Sequence, residues 1–159
     1  MKKFILFLVA AFFLNAQDKN LSESEVPASV RSGFDKMFPG VSPVRWEREN
    51  YGLYEAELNW RGHPASATFN ADGLWMRTEK EVKQSEIPAG VIAHARKLYP
   101  DFSVAECQII STPDVRTLYE VEMFRGIERQ SLIFDSNNTF LRIEVDEDDD
   151  DKGRTQPKG

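Results

Sequence analysis

Hydrophobic and polar positions along this chain change period in a fixed order, and that order occurs twice. Behind Val26-Pro27, residues Val30, Phe34, Met37 and Phe38 recur at helical spacing, and Pro39-Gly40 ends the run. The period then drops to two. Val44, Trp46 and Arg48 alternate with Arg45, Glu47 and Glu49, and Tyr54, Ala56, Leu58 and Trp60 alternate with Glu55, Glu57 and Asn59. Such alternation predicts half-buried strands. Arg61-Gly62-His63-Pro64 turns the chain into a strand over Ala65 to Phe69, and Asn70-Ala71-Asp72-Gly73 makes a hairpin turn into Leu74 to Val82. The second pass gives a helix from Pro88 to Tyr99, with Val91, Ile92, Ala95, Leu98 and Tyr99 inward. Strands follow over Ala105 to Ile110, Thr117 to Phe124, Gln130 to Phe134 and Phe140 to Val145.

The two passes share landmarks. Val26-Pro27-Ala28 and Ile87-Pro88-Ala89 stand 61 apart (87 − 26), while Tyr54-Glu55-Ala56-Glu57 and Tyr119-Glu120-Val121-Glu122 stand 65 apart (119 − 54). The slip falls in the polar stretch around Ser111-Thr112-Pro113-Asp114, where an insertion is easily accommodated. A period of this size predicts a tandem pair of supersecondary units, 26–85 and 86–146. The expected fold is α+β: two αβββ(β) units whose sheets join edge to edge into one antiparallel sheet, with both helices on one face and the other face open.

Met1-Lys2-Lys3 followed by an apolar run from Phe4 to Leu14, too short to span a bilayer, predicts a cleaved secretory leader over 1–16. The expected location is periplasmic or secreted, with no stable membrane span after cleavage. Residues 17–25 are polar and expected to be a flexible lead-in, and 147–159, opening on an acidic run, an unstructured tail. Removing the leader takes away two lysines, so the formal net charge moves from −6 to −8. That balance excludes an electrostatic footprint for nucleic acid. Cys107 is the sole cysteine, so no intrachain disulfide can form. It stands where the first unit has Trp46 and is expected to be a buried, unreactive thiol.

Little in the sequence resembles a catalytic constellation. Only His63 and His94 could serve as imidazole bases, and they occupy different places in the two units. One Cys and two unpaired His supply no zinc ligand set, and the acidic tail lacks the Gly turn of a calcium loop. No catalytic residue, metal ligand or cofactor is therefore expected. The polar set with most to offer is Glu55, Glu57, Glu120 and Glu122, which alternation puts on the sheet face opposite Tyr54, Ala56, Tyr119 and Val121. These carboxylates can be a charged recognition surface, an acid/base pair, or an ordinary solvated face balanced by Arg45, Arg77 and Arg142. Trp75 and Phe140 fall in register with Arg77 and Arg142 and opposite Leu74, Met76, Leu141 and Ile143, which are expected inward. An aromatic on a polar face suits an interface anchor, with packing of the hairpin as the alternative. The candidate binding surface is thus Glu55, Glu57, Trp75, Arg77, Glu120, Glu122, Phe140 and Arg142.

Val26-Pro27, Phe38-Pro39, Trp46, Tyr54, Gly62, Phe69-Asn70-Ala71-Asp72-Gly73 and Trp75 resemble the PepSY-like domain family, a group of β-lactamase-inhibitor-like exported proteins. Ile87-Pro88, Tyr99-Pro100, Tyr119, Gly126 and Phe134-Asp135 carry the resemblance in the second unit, which departs from it at Cys107 and Asn138. The resemblance implies a non-enzymatic binding or inhibitory module with an extracytoplasmic protein or peptide as partner. The rivals are a hydrolase or other envelope enzyme without a recognisable motif, and an envelope protein that binds a peptide or small ligand.

Overall fold

The computed structural model describes residues 19–114 and 116–144. The leader over 1–16, the acidic tail and the end of the last predicted strand at Val145 lie outside the described residues. Nine strands form one antiparallel meander in chain order: β1 (Lys19–Leu21), β2 (Arg45–Arg48), β3 (Tyr54–Trp60), β4 (His63–Phe69), β5 (Trp75–Glu81), β6 (Ser103–Ser111), β7 (Thr117–Arg125), β8 (Glu128–Asp135) and β9 (Phe140–Glu144). Two helices, α1 (Ala28–Met37) and α2 (Ala89–Leu98), interrupt the meander. The α+β sheet expected from the alternation is present, and β5 pairs with β6 to join the halves edge to edge.

Each helix enters through a short 3-10 turn. Ser22 N–H donates to Glu25 Oε2 (2.9 Å) before α1, and Lys83 N–H donates to Glu86 Oε2 (3.0 Å) before α2. The carboxylate thereby occupies an amide that the turn leaves free. Lys19–Leu21 departs from the flexible lead-in expected there. It pairs with β2, placing Leu21 opposite Trp46 against the core, so one apolar residue anchors the segment.

The helices cover one sheet face with two adjoining cores. Val30, Phe34 and Phe38 meet Trp46, Ala56, Leu58, Ala67 and Phe69, while Val91, Ile92 and Ala95 meet Cys107, Val121, Met123, Leu132 and Phe134. Tyr54, Tyr99 and Tyr119, expected in the core, are half-buried at its margin. Gly33 of α1 packs against the β4–β5 turn so closely that a Cβ there would lie 2.1 Å from the Gly73 carbonyl oxygen. The matching contact in the second half uses a side chain: His94 Nδ1–H donates to the Asn138 carbonyl (3.1 Å). His94 therefore lies in the seam between α2 and the β8–β9 turn, with its ring 5.5 Å from Phe134, rather than on the outer side of its helix.

The register has a feature that alternation does not reveal. Thr68 pairs with Arg77 but Phe69 pairs with Trp75, and Ile133 pairs with Arg142 but Phe134 pairs with Phe140. Met76 and Leu141 are the extra residues of two β-bulges. The bulges turn Trp75 and Phe140 toward the helices and leave Met76 and Leu141 exposed, with Leu74 and Ile143 exposed as well. This corrects the expected placement of Trp75, Phe140, Leu74, Met76 and Leu141, whereas Ile143 stands opposite the buried Leu132 on the helix side, as expected, and is exposed by its place on the edge strand. Trp75 Nε1–H donates to Thr78 Oγ1 (2.9 Å) and the indole packs on the first core, while the Phe140 ring lies 5.8 Å from Phe134.

Candidate binding face

Paired strand residues share a face, so the register defines the surface away from the helices. It carries Arg45 and Glu47 from β2, Glu55 and Glu57 from β3, and Arg77 and Glu79 from β5. From the second half come Glu106, Glu120, Glu122, Arg129, Arg142 and Glu144. Six of the eight expected site residues therefore lie on one face: Glu55, Glu57, Arg77, Glu120, Glu122 and Arg142. Trp75 and Phe140 do not join them, because the bulges send both to the opposite side.

The charges are organised as pairs. Arg77 bridges Glu79 (3.2 Å) and Arg142 bridges Glu144 (2.8 Å) at equivalent places. Arg45 bonds both Glu57 and Glu47, and Arg129 bonds Glu122. Between these pairs lie two carboxyls with raised affinity for a proton. Burial pushes Glu55 up to about 7, reinforced by the charges of Glu49 and Glu79 and opposed by Arg77 and a hydrogen bond from Ser66. Burial likewise pushes Glu120 up to about 7, opposed by a hydrogen bond from Ser131 and reinforced by Glu79, Glu144 and Glu106. Glu106 is raised as well, again chiefly by burial. Desolvation disfavours the charged form, and carboxylates facing one another add to it.

Sequence reasoning missed Glu47, Glu49 and Thr68. Glu47 stands directly across from Glu55, Thr68 stands across from Glu55 on its other side, and the carboxylate oxygens of Glu47, Glu49 and Glu55 approach within 4.8 Å of one another. The short Asn50-Tyr51-Gly52 turn folds the end of β2 back against the start of β3 and brings these side chains together.

The other reactive groups lie on the helix side. Cys107 is buried there and burial pushes its thiol up to about 11, which keeps it protonated and weakly nucleophilic. His63, paired with Trp60, has its Nδ1–H on the Glu81 carbonyl (3.0 Å). What the helix-free face offers chemically is therefore charge, hydrogen-bond acceptors and proton-binding carboxyls. No helix among the described residues is long and apolar enough to cross a membrane.

Comparison with known proteins agrees on the fold. A DUF2874 family protein from Bacteroides ovatus matches with a TM-score of 0.66 at 20% identity, over 74% of this chain and 86% of its own. A BLIP-like protein from Bacteroides fragilis matches with a TM-score of 0.64 at 21% identity, over 74% and 85%. A protein from Bacteroides eggerthii, described as one of the "putative periplasmic proteins", matches with a TM-score of 0.67 at 19% identity, over 75% and 88%. No curated protein matches the chain in sequence. The family model described as "Putative beta-lactamase-inhibitor-like, PepSY-like" matches residues 53–142 as one stretch, from the end of the β2–β3 turn into β9. That stretch takes in more than half of the 159 residues and both halves of the sheet, and the chain belongs to the PepSY-like family.

Proposed function

We propose that this chain is an exported, non-catalytic binding module that holds a protein or peptide partner on the helix-free face of its sheet. The observation that carries this reading is the recurrence of Glu55, Glu57 and Arg77 as Glu120, Glu122 and Arg142, two matched charged sets on a face that neither helix covers. A broad sheet face with paired charge suits a macromolecular surface, because complementary potential fixes register and speeds encounter. Export to the periplasm or beyond rests on the leader pattern over 1–16 and on the description of the Bacteroides eggerthii neighbour. Inhibition of an extracytoplasmic enzyme is the specific form that the family's description supports. The two halves are read as tandem units, 26–85 and 86–146, each contributing half of the recognition face.

The test is affinity capture from envelope extract with the wild type and with Arg77→Glu/Arg142→Glu. The two arginine side chains are 44% and 52% exposed, so the melting temperature should hold. Capture of the same partner should fall at least about tenfold in the variant, and the captured enzyme, assayed with purified protein, should lose activity. Equal capture by wild type and variant, or turnover by the purified protein in a hydrolase screen, would overturn the reading.

A further inference from the structure

We propose that the outer edge of β9 pairs with the same edge of a second copy of this chain, antiparallel and centred on Ile143, to form a two-fold dimer. The first half shows what that edge is built to do. β9 repeats β5: Trp75, Arg77, Thr78 and Glu79 recur as Phe140, Arg142, Ile143 and Glu144, with the bulge and the Arg–Glu pair at the same places. β5 has β4 on one side and β6 on the other, and its pairing with β6 begins at Thr78. β9 has β8 on one side and, among the described residues, no strand on the other. Thr78, flanked by two strands, is 7% exposed, whereas Ile143 at the equivalent place is 37% exposed. The strand with a neighbour carries the hydroxyl and the strand without one carries the larger apolar side chain, the reverse of what a solvated edge favours. The opposite edge of the sheet, β1, is only three residues long, whereas β9 presents five residues without a proline, with Leu141 also exposed.

Charge selects a second copy as the occupant and fixes its register. Residues facing each other across an antiparallel pair share a face, so a symmetric contact between two β9 edges must centre on one residue. Centring on Arg142 sets arginine against arginine, and centring on Glu144 sets glutamate against glutamate, both unfavourable. Centring on Ile143 sets Arg142 of each copy against Glu144 of the other on the helix-free face, and the two isoleucines against each other on the helix side. Main-chain hydrogen bonds between the two edges supply the affinity, and these side chains the register. Parallel pairing would start both acidic runs, Asp146 to Asp151, from one end, whereas antiparallel pairing sends them apart. The two-fold axis stands normal to the sheet, so the helix-free faces of the two copies become one continuous surface.

Sedimentation equilibrium of the purified protein tests the interface. Five residues make a narrow contact, so association should be weak and reversible, with a dissociation constant between about 1 μM and about 1 mM. Ile143→Lys sets two cations face to face at the centre and should weaken association at least about tenfold, with a circular-dichroism spectrum matching the wild type. Arg142→Glu and Glu144→Arg should each associate at least about tenfold more weakly alone. Mixed in equal amounts, the two should form a dimer as readily as the wild type, because each then opposes complementary charge on the other. A monomer at every concentration up to about 1 mM, association indifferent to Ile143→Lys, or no recovery in the mixture would each overturn the proposal. So would a mass that climbs beyond the dimer with concentration, the mark of a head-to-tail contact between β9 and β1. The masses are read with no other protein present, so failure of this interface and failure of the proposed binding role are separate results.

Discussion

In the half built around α1, the bulk of the core comes from the helix and β2, through Phe34 and Trp46, which meet Ala56 and Ala67 on the central strands. In the half built around α2 the same four places are Ala95 and Cys107 on the outer elements, and Val121 and Leu132 on the strands. All eight side chains are buried. Large faces small in both cores, but the large partner has changed sides. Close packing explains why the exchange must be concerted, since a core tolerates redistributed volume far better than added or missing volume. The helix-free face follows a different rule. It keeps an Arg–Glu pair at the equivalent place in each half, yet the residue standing across from Glu55 is Thr68 and the one across from Glu120 is the buried Ile133. The two halves share a backbone plan and diverge where packing permits.

The sharpest way to break the comparison is to convert one core toward the other. Phe34→Ala, which puts the α2 residue into α1, should cost about 3–5 kcal/mol, because Phe34 is 1% exposed and contacts the rings of Phe38, Trp46 and Phe69. Adding Ala56→Val and Ala67→Leu should recover a substantial part of that loss. Each of these alone should destabilise by about 1–3 kcal/mol through overpacking. Urea unfolding of the single and triple variants measures the coupling. A triple variant no more stable than the sum of its parts would show that the two cores do not exchange volume in this way.

A smaller effect separates the two acidic corners. Glu120 has no equivalent of the Glu47–Glu49 pair beside it, and its carboxyl in the folded chain sits at about 7 against an ordinary 4.5. The folded state therefore holds this proton more tightly than the unfolded state. The associated stability is fully present below about pH 4.5 and is lost as pH rises to about 7. Glu120→Gln should accordingly leave the protein unchanged near pH 4 and stabilise it by roughly 2–3 kcal/mol near pH 8. Thermal melts across that range decide it. An equal effect at both pH values would place the Glu120 carboxylate in solvent.

How much of this was legible in the sequence depends on the range of the interaction. Proline at each helix start, the 3.6-residue apolar spacing and the strand alternation are local, and they located both helices and eight of the nine strands. The ninth, β1, is three residues long, too short for alternation to register. Charged residues in strand centres fell on the expected face because a period of two is robust within a strand. Neighbours across strands were not legible. The approach of Glu47 to Glu55 depends on a turn in which Tyr51 adopts a φ of 59°, and the lone hydroxyl of Thr68 acquires meaning only once Glu55 stands opposite it. The bulges escaped for another reason: both halves carry one at the same place, so comparing the halves reinforced the wrong register.

That register can be sharpened by the smallest effect of the series. An unbulged hairpin would put Met76 and Leu141 against the helices, where replacing either by serine would remove buried hydrocarbon and leave a buried hydroxyl, destabilising by about 2 kcal/mol or more. In the bulged register Met76 is 44% exposed and Leu141 45% exposed, so each faces mostly water. Met76→Ser and Leu141→Ser should therefore each shift stability by no more than about 0.5 kcal/mol, the range of ordinary surface substitutions. Agreement between the pair matters as much as the size. Each bulge rotates one aromatic into a core, Trp75 onto a ring-rich packing surface and Phe140 onto Phe134 alone among aromatic rings in contact, so the two hairpins reach one backbone solution with different side chains. A loss near 2 kcal/mol at one position and none at the other would mean that only one of the two hairpins carries its bulge in solution.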